Sequence, residues 1–518
     1  MPVLISDAAN PPLSDSLPAI LRARCRRGPE QAVIAAGSAS LSARQFDAYG
    51  DRVAAWLAGK GIVKGDRVAL YGINGPEFAV AYFGIVKAGA VVVPLNLLQN
   101  PRELAYVVKD SGAKGLIHSA VLGDKVAALD EFELGLGFAQ SIGSVEEWTR
   151  LAEGMSVPEI DIDPGEDLAA ILYTSGTTGN PKGAMLTHRN LAFDTWSAAQ
   201  ATQLRSDDVL LVVLPMFHSF AASVGMIMPL LWGAALAPVP KFDASLVADT
   251  IAAVGATVFM GVPSMYNVLL HLPDASADKL RSLRLCVSGG AAMPVALMNA
   301  FEQRFGLAIH EGDGPTECSP VTCLNPIGGE RKPASVGLPI PMVEMAIRDL
   351  NGKPVADGEV GEICVRGANV MKGYWHLPEA TAESFWDDWF RTGDLGLRDG
   401  DGYFFIVDRI KDMIIVNGMN VYPRMVEEVL YEHPAVSEAA VIGAPHESHG
   451  EIPVAYVALK AAATSAELRA FCRDRLGPHQ VPRRFTVLDA LPKNAAGKIV
   501  KRELRKQGEL ERGVDLPA

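Results

Sequence analysis

Between Ile171 and His188 the chain reads Ile-Leu-Tyr-Thr-Ser-Gly-Thr-Thr-Gly-Asn-Pro-Lys-Gly-Ala-Met-Leu-Thr-His, and no other stretch restricts the fold as strongly. An apolar run from Leu168 predicts a buried strand, a helix is predicted to start near Thr187, and hydroxyls, glycines and one lysine fill the interval. Such a segment is built to grip phosphate. Gly176, Gly179 and Gly183 let backbone N–H groups approach an anion, Thr174, Ser175, Thr177 and Thr178 add neutral donors, and Lys182 adds a charge. Lys182 follows Asn180-Pro181 and precedes Gly183, so the spacing is not that of the Gly-Lys-Ser/Thr phosphate loop. A polar surface turn would need no such concentration of phosphate donors.

A chain of 518 residues, 49% of them hydrophobic, exceeds what one core holds and predicts at least two domains. The net charge of −13 argues against a nucleic-acid partner and against binding to an anionic membrane surface. Residues 409–518 carry 16 Lys/Arg against 14 Asp/Glu, so the acidity lies in the preceding part. The six cysteines form no CxxC pair, which fits a reducing cytoplasm and offers no zinc site. Residues Met1 to Ser14 lack the basic-then-apolar order of a secretory signal. The long apolar stretch from Val209 to Pro240 is interrupted by Pro215, His218, Pro229 and Pro238 and reads as successive buried strands and helices, not as a membrane span.

Residues 15–120 alternate helical and strand-like apolar runs: Ala43 to Lys60, Arg67 to Tyr71, Glu77 to Ala88, Ala90 to Pro94. Similar strands follow at Ala113 to His118, Leu210 to Leu214, Ala256 to Gly261 and Leu283 to Ser288, the rhythm of an α/β fold with parallel sheets. From Ser335 to Tyr403 the texture becomes short β runs between Gly, Asp and Pro, predicting a β-rich subdomain. A domain boundary is expected at Asp408 to Lys411, dividing the chain into 1–408 and 409–518, with helices at Pro423 to Tyr431 and Ala466 to Arg475 in the smaller part.

The phosphate loop resembles the signature of the adenylate-forming superfamily, which includes acyl-CoA synthetases, luciferases and peptide-synthetase adenylation domains, and matches to it recur over nearly the whole chain. The resemblance implies a large N-terminal portion of two layered α/β subdomains plus a β-barrel-like one, followed by a small mobile α+β C-terminal domain. It also implies ATP, Mg2+ and coenzyme A as ligands. Glu317, in Glu311-Gly312-Asp313-Gly314-Pro315-Thr316-Glu317, resembles the magnesium-binding glutamate, a hard oxygen ligand of the kind Mg2+ bridged to phosphate prefers, and Thr316 stands where a hydroxyl donates to phosphate or acyl oxygen. Asp313 departs from the pattern, since the superfamily usually places an adenine-stacking aromatic there and an acid cannot stack. Nucleotide contact is then expected from other walls, among them Ser288-Gly289-Gly290-Ala291-Ala292, whose small residues permit close approach.

Asp394 resembles the carboxylate that accepts both ribose hydroxyls, and Arg409 the second ribose or phosphate contact. Lys498, in Asn494-Ala495-Ala496-Gly497-Lys498, matches the catalytic lysine, an ammonium on a mobile arm that neutralises charge developing during adenylation. Lys411 resembles the hinge about which the C-terminal domain turns between two half-reactions, after which Gly418 would leave room for the pantetheine arm of coenzyme A. Met425 stands where the superfamily tends to carry Glu. His218 corresponds to a residue near the acyl and thiol entrance, although a lone histidine in an apolar run is also what a satisfied core histidine looks like.

Phe217, Phe220, Ala221, Val224, Gly225 and Met226, with Val262 and Met265, are expected to line an apolar tunnel. The expected activity is that of a cytoplasmic fatty-acyl-CoA ligase for a medium- or long-chain acid. Loading of a separate carrier protein, an aryl acid, luciferase-like oxidation and a non-catalytic nucleotide-binding regulator are the alternatives. Peripheral membrane contact and a homodimer stay open at this level.

Overall fold

The computed structural model describes residues 11, 13–174, 180–446, 448–494 and 497–514. Two mostly parallel sheets form the body. A seven-stranded sheet runs in the order Gly373–Tyr374, Lys182–Thr187, Leu168–Thr174, Val91–Pro94, Arg67–Tyr71, Gly115–Ser119, Phe138–Ile142. A nine-stranded sheet has Ile309–Asp313, Leu285–Ser288, Val258–Gly261, Val209–Val212, Ala235–Pro238 and Ala32–Ile34 as parallel neighbours, closed at both edges by antiparallel strands. Strands buried on both faces need no polar side, so Val68 to Tyr71, Val91 to Pro94 and Leu285 to Ser288 are apolar or small throughout and buried.

The helices begin where the sequence places caps. Ser42 accepts from the Gln45 N–H and starts Ala43–Gly59, and Thr187 accepts from the Asn190 N–H and starts His188–Ala201, in each case with the reciprocal side chain bonded back. Helices Ala43–Gly59 and Pro76–Lys87 pack closely, and Phe46, Val53, Trp56 and Phe83 join the core that unites the body. The stretch Val209 to Pro240 forms a strand, a π-helical turn Ala221–Ile227 running into helix Met228–Trp232, and a strand, all inside this core. Among the described residues no helix is long and apolar enough to cross a membrane.

Residues from Glu344 to Arg409 supply a five-stranded antiparallel sheet in which Trp389–Arg398 pairs with Phe404–Arg409. A second five-stranded sheet, built from Ile414–Val416 to Arg484–Leu488, has its own apolar core of Ile414, Val426, Leu430, Val441, Val457 and Leu468. The molecule is thus α/β, with a large N-terminal portion and a small C-terminal domain.

One element differs from expectation. Lys182–Thr187, read from sequence as loop running towards a helix, is a strand antiparallel to Leu168–Thr174, with Thr174 opposite Lys182. The two strands that flank the phosphate-loop sequence are therefore paired antiparallel to each other. A six-residue strand beginning Lys-Gly carries too short a pattern to be told from loop, and only pairing with its neighbour fixes it.

Candidate active site

The strand Ile309–Asp313 delivers its last residues into a tight turn that carries Thr316 and Glu317. The turn is narrow enough that a Cβ on Gly314 would lie 1.8 Å from the Pro320 carbonyl oxygen, so only glycine fits. Asn369 holds the turn from behind, its amide donating to the Cys318 and Val321 carbonyls at 3.1 Å each. Thr316 Oγ1 lies 2.9 Å from Ser219 Oγ.

Glu317 Oε1 accepts from the Tyr374 hydroxyl at 2.9 Å and from Thr174 Oγ1 at 3.4 Å. Lys182 Nζ stands 5.0 Å from the centre of the Tyr374 ring, a cation–π distance. Of the two described ends of the phosphate loop, Thr174 thus meets Glu317 directly and Lys182 meets the tyrosine bonded to it. Ser175, Gly176, Thr177, Thr178 and Gly179 lie outside the described residues. Tyr374 was not singled out from sequence. It reaches Glu317 because Gly373–Tyr374 adds an edge strand beside Lys182–Thr187, a pairing that no local pattern announces. Tyr374→Phe removes a hydrogen bond to a carboxylate and is expected to lower kcat/KM for Mg-ATP in pyrophosphate exchange by about tenfold.

Asp394 and Arg409 face each other across two paired strands, and their side chains meet at 2.9 Å with Asp394 only 5% exposed. Asp313 and Lys498 share this neighbourhood. Burial, and then the Asp394 charge, push the Asp313 carboxyl up to about 6, while Arg409 and Lys498 hold it back. Burial, and then Arg409, pull the Lys498 ammonium down to about 8, against Asp394 and Asp313. Asp313 therefore sits as an acid among charges, not as a stacking surface.

Lys498 belongs to a loop in which its N–H donates to Asn494 Oδ1 at 2.9 Å, and the loop seats on the body through Ser264 Oγ donating to the Gly497 carbonyl at 3.3 Å. Gly497 has φ +79°, and a Cβ there would lie 2.9 Å from both Ser264 Oγ and Val262 Cγ2. Glycine at this point lets the backbone approach the body closely and bring Lys498 in.

His218 accepts from the Phe220 N–H through Nδ1 at 3.3 Å, and burial together with the Lys498 charge pulls it down to about 4, so it is neutral at physiological pH. Gly289 follows the strand Leu285–Ser288 and lies where a Cβ would be 3.3 Å from both the Gly312 carbonyl and the Phe220 ring. Gly290, at φ +75°, and Ala291 continue this wall. Of the apolar residues expected around the acyl group, Phe217, Ala221, Val224, Met226, Val262 and Met265 are buried core residues, and Phe220 is half-buried.

Lys411 borders this cluster, and its charge acts on Lys498. Lys411 lies in the short turn Ile410–Asp412 directly after Arg409, lowered by burial and then by Arg409. Gly418 is at the tip of the hairpin Ile414–Val416 to Met419–Val421, where Asn417 at φ 51° and Gly418 at φ 78° form the turn pair that suits the strands' twist. The turn alone accounts for glycine there. Among the described residues no group of three or more His, Cys, Asp or Glu is arranged to hold a metal ion, and all six cysteines are free and buried.

With this geometry in view, the comparisons with known proteins agree. The profile of AMP-binding enzymes matches residues 21–375, and that of the AMP-binding enzyme C-terminal domain matches residues 425–498. The chain belongs to the AMP-binding enzyme family. This AMP-binding enzyme is a ligase. It is 37% identical to a long-chain-fatty-acid–CoA ligase of Bacillus subtilis (strain 168), over 94% of each chain. It is 38% identical to a feruloyl-CoA synthase of Amycolatopsis sp, over 93% of this chain and 97% of the relative. Among solved structures it is similar to the anthranilate CoA ligase AuaEII in complex with anthranoyl-AMP, with a TM-score of 0.90, 30% identity, and coverage of 99% and 100% of the two chains.

Proposed function

We propose that this enzyme activates a medium- or long-chain fatty acid with ATP and transfers the acyl group to coenzyme A. In the first half-reaction a carboxylate oxygen attacks the α-phosphorus, the bond to the β-phosphate breaks, and pyrophosphate leaves. In the second, the coenzyme A thiolate attacks the acyl carbon and AMP leaves. The observation that carries the reading is the gathering of Lys498, from the C-terminal domain, with Asp394, Arg409 and Asp313 of the body. A nucleotide-binding regulator has no use for a lysine brought in on a separate domain.

The residues take roles that follow from their chemistry. The Asp394 carboxylate presents two oxygens to adjacent ribose hydroxyls, and Arg409 holds it in place. Thr174, Lys182 and the loop between them take the β- and γ-phosphates, with Gly289, Gly290 and Ala291 along the nucleotide. Thr316 donates to the α-phosphate or the acyl oxygen. Lys498 neutralises the charge that builds on the α-phosphate. Glu317 has the chemistry to hold Mg2+: its carboxylate is oriented by two hydroxyl donors, and a single protein carboxylate shared with substrate phosphates is the usual magnesium arrangement. Bound there, the ion would supply charge neutralisation for the polyphosphate. His218 is neutral and lies near Lys498, placed to line the entrance for acid and thiol.

The domain boundary we place at Asp408 to Lys411, with Lys411 as hinge: turning about it withdraws Lys498 and presents Gly418 to the pantetheine arm. A cytoplasmic location fits the six free thiols. An aryl acid is the competing substrate, favoured by the 38% identity to a feruloyl-CoA synthase.

A product assay decides between them. Protein, Mg-ATP and a ladder of fatty and aryl acids, with and without coenzyme A, are expected to give AMP and an acyl thioester that peaks at one fatty chain length. A peak on aryl acids would replace the substrate, and adenylate without thioester would move the acceptor to a carrier protein.

A further inference from the structure

Glu311 lies two residues before Asp313 and is only 1% exposed, yet one of its oxygens, Oε2, has no hydrogen-bond partner among the described residues. Its other oxygen accepts from the Met293 N–H at 3.0 Å and so pins the end of the Ser288–Ala292 segment that walls the nucleotide site. The cation facing it comes from the C-terminal domain: Arg424 Nη2 stands 3.9 Å from Glu311 Oε1. Arg424 is anchored on the body twice more, through Nη1 to the Ile406 carbonyl at 2.7 Å and through its N–H to Asp408 Oδ2 at 2.9 Å. Ile406 and Asp408 precede Lys411, whereas Arg424 opens the helix Pro423–Tyr431 that packs on the C-terminal sheet. A turn about Lys411 breaks all three contacts together.

We propose that Arg424 and Glu311 are a positioning pair that couples seating of the C-terminal domain to the nucleotide wall: Arg424 docks only when Lys498 is delivered, and it neutralises the carboxylate that holds Met293. Its kinetic arm rests on the adenylation reading above. Burial lifts Glu311 to about 7, Arg424 opposes this, and the neighbouring Glu428 and Asp313 charges add to it. An undocked Arg424 therefore leaves a buried carboxyl that takes up a proton, weakening its hold on the Met293 N–H.

The test compares Arg424→Gln, Glu311→Gln and the double variant in the full chain at pH 8. Arg424→Gln is expected to speed amide hydrogen exchange at Met293 and to slow acyl-adenylate formation, each by about tenfold, while leaving thioester formation from supplied acyl-adenylate unchanged. Glu311→Gln alone is expected to reproduce both effects, because a neutral amide oxygen faces Met293 as the protonated carboxyl does, and adding it to Arg424→Gln is expected to cost little more. Unchanged Met293 exchange in Arg424→Gln overturns the coupling. So does equal slowing of both half-reactions, or a double variant slowed by the product of the two single losses. If the wild-type protein adenylates no acid, the adenylation reading fails by itself, and the exchange measurement still decides the pair.

Discussion

Lys498→Ala is expected to lower the rate of acyl-adenylate formation by about 10²- to 10³-fold, the loss typical of removing one preorganised charge from the transition state of a group transfer. Thioester formation from supplied acyl-adenylate is expected to fall far less, since in the proposed mechanism the lysine is withdrawn before the thiol attacks. Separate measurement of the two half-reactions checks this, and equal losses in both would remove Lys498 from the adenylation step. The same residue sets a pH limit. Burial, and then Arg409, bring the ammonium down to about 8, so it is charged below that pH and loses its proton above it. The adenylation rate of the wild-type protein is therefore expected to fall as pH rises through about 8, and the fall should be absent from the residual activity of Lys498→Ala.

Gly314→Ala is the second large effect. A Cβ there would lie 1.8 Å from the Pro320 carbonyl oxygen, 2.8 Å from its carbon and 2.9 Å from the Thr322 N, all backbone atoms that cannot swing aside. The turn has to open, at a cost on the order of 3 kcal/mol. Thr316 and Glu317 ride on that turn, so Glu317 is expected to move off the Tyr374 hydroxyl and Thr316 off Ser219. The expected result is a lower melting temperature together with loss of pyrophosphate exchange by 10²-fold or so, the penalty for about 1 Å of misplacement at a reacting centre. A variant that melts early but keeps full exchange in the folded fraction would show that the turn need not be held so tightly.

Of the fold, the sequence carried the alternation of strand and helix that became the two parallel sheets, because strands buried on both faces are written as short apolar runs and capped helices announce their starts. Thr316, Glu317, Asp394 and Lys498 could be named because each sits in a local motif of distinctive residue types. Tyr374 could not. Its hydroxyl meets Glu317 only after a two-residue edge strand pairs with Lys182–Thr187, and that strand was itself invisible until Leu168–Thr174 gave it a partner. Gly418 shows the converse: a glycine with a suggested ligand role whose hairpin turn already requires it.

By itself, then, the sequence determined the family, the α/β class and which residue types bring chemistry, since these are properties of local pattern and short motifs. Only the tertiary structure decided which of those residues meet. The pairing of Asp394 with Arg409 depends on the register of two strands, the placing of Lys498 beside them on how Gly497 lies against Ser264, and the reach of Arg424 to Glu311 on one domain seated against another. Contacts between residues far apart in the chain are selected by packing over the whole molecule, and no window along the sequence contains both partners.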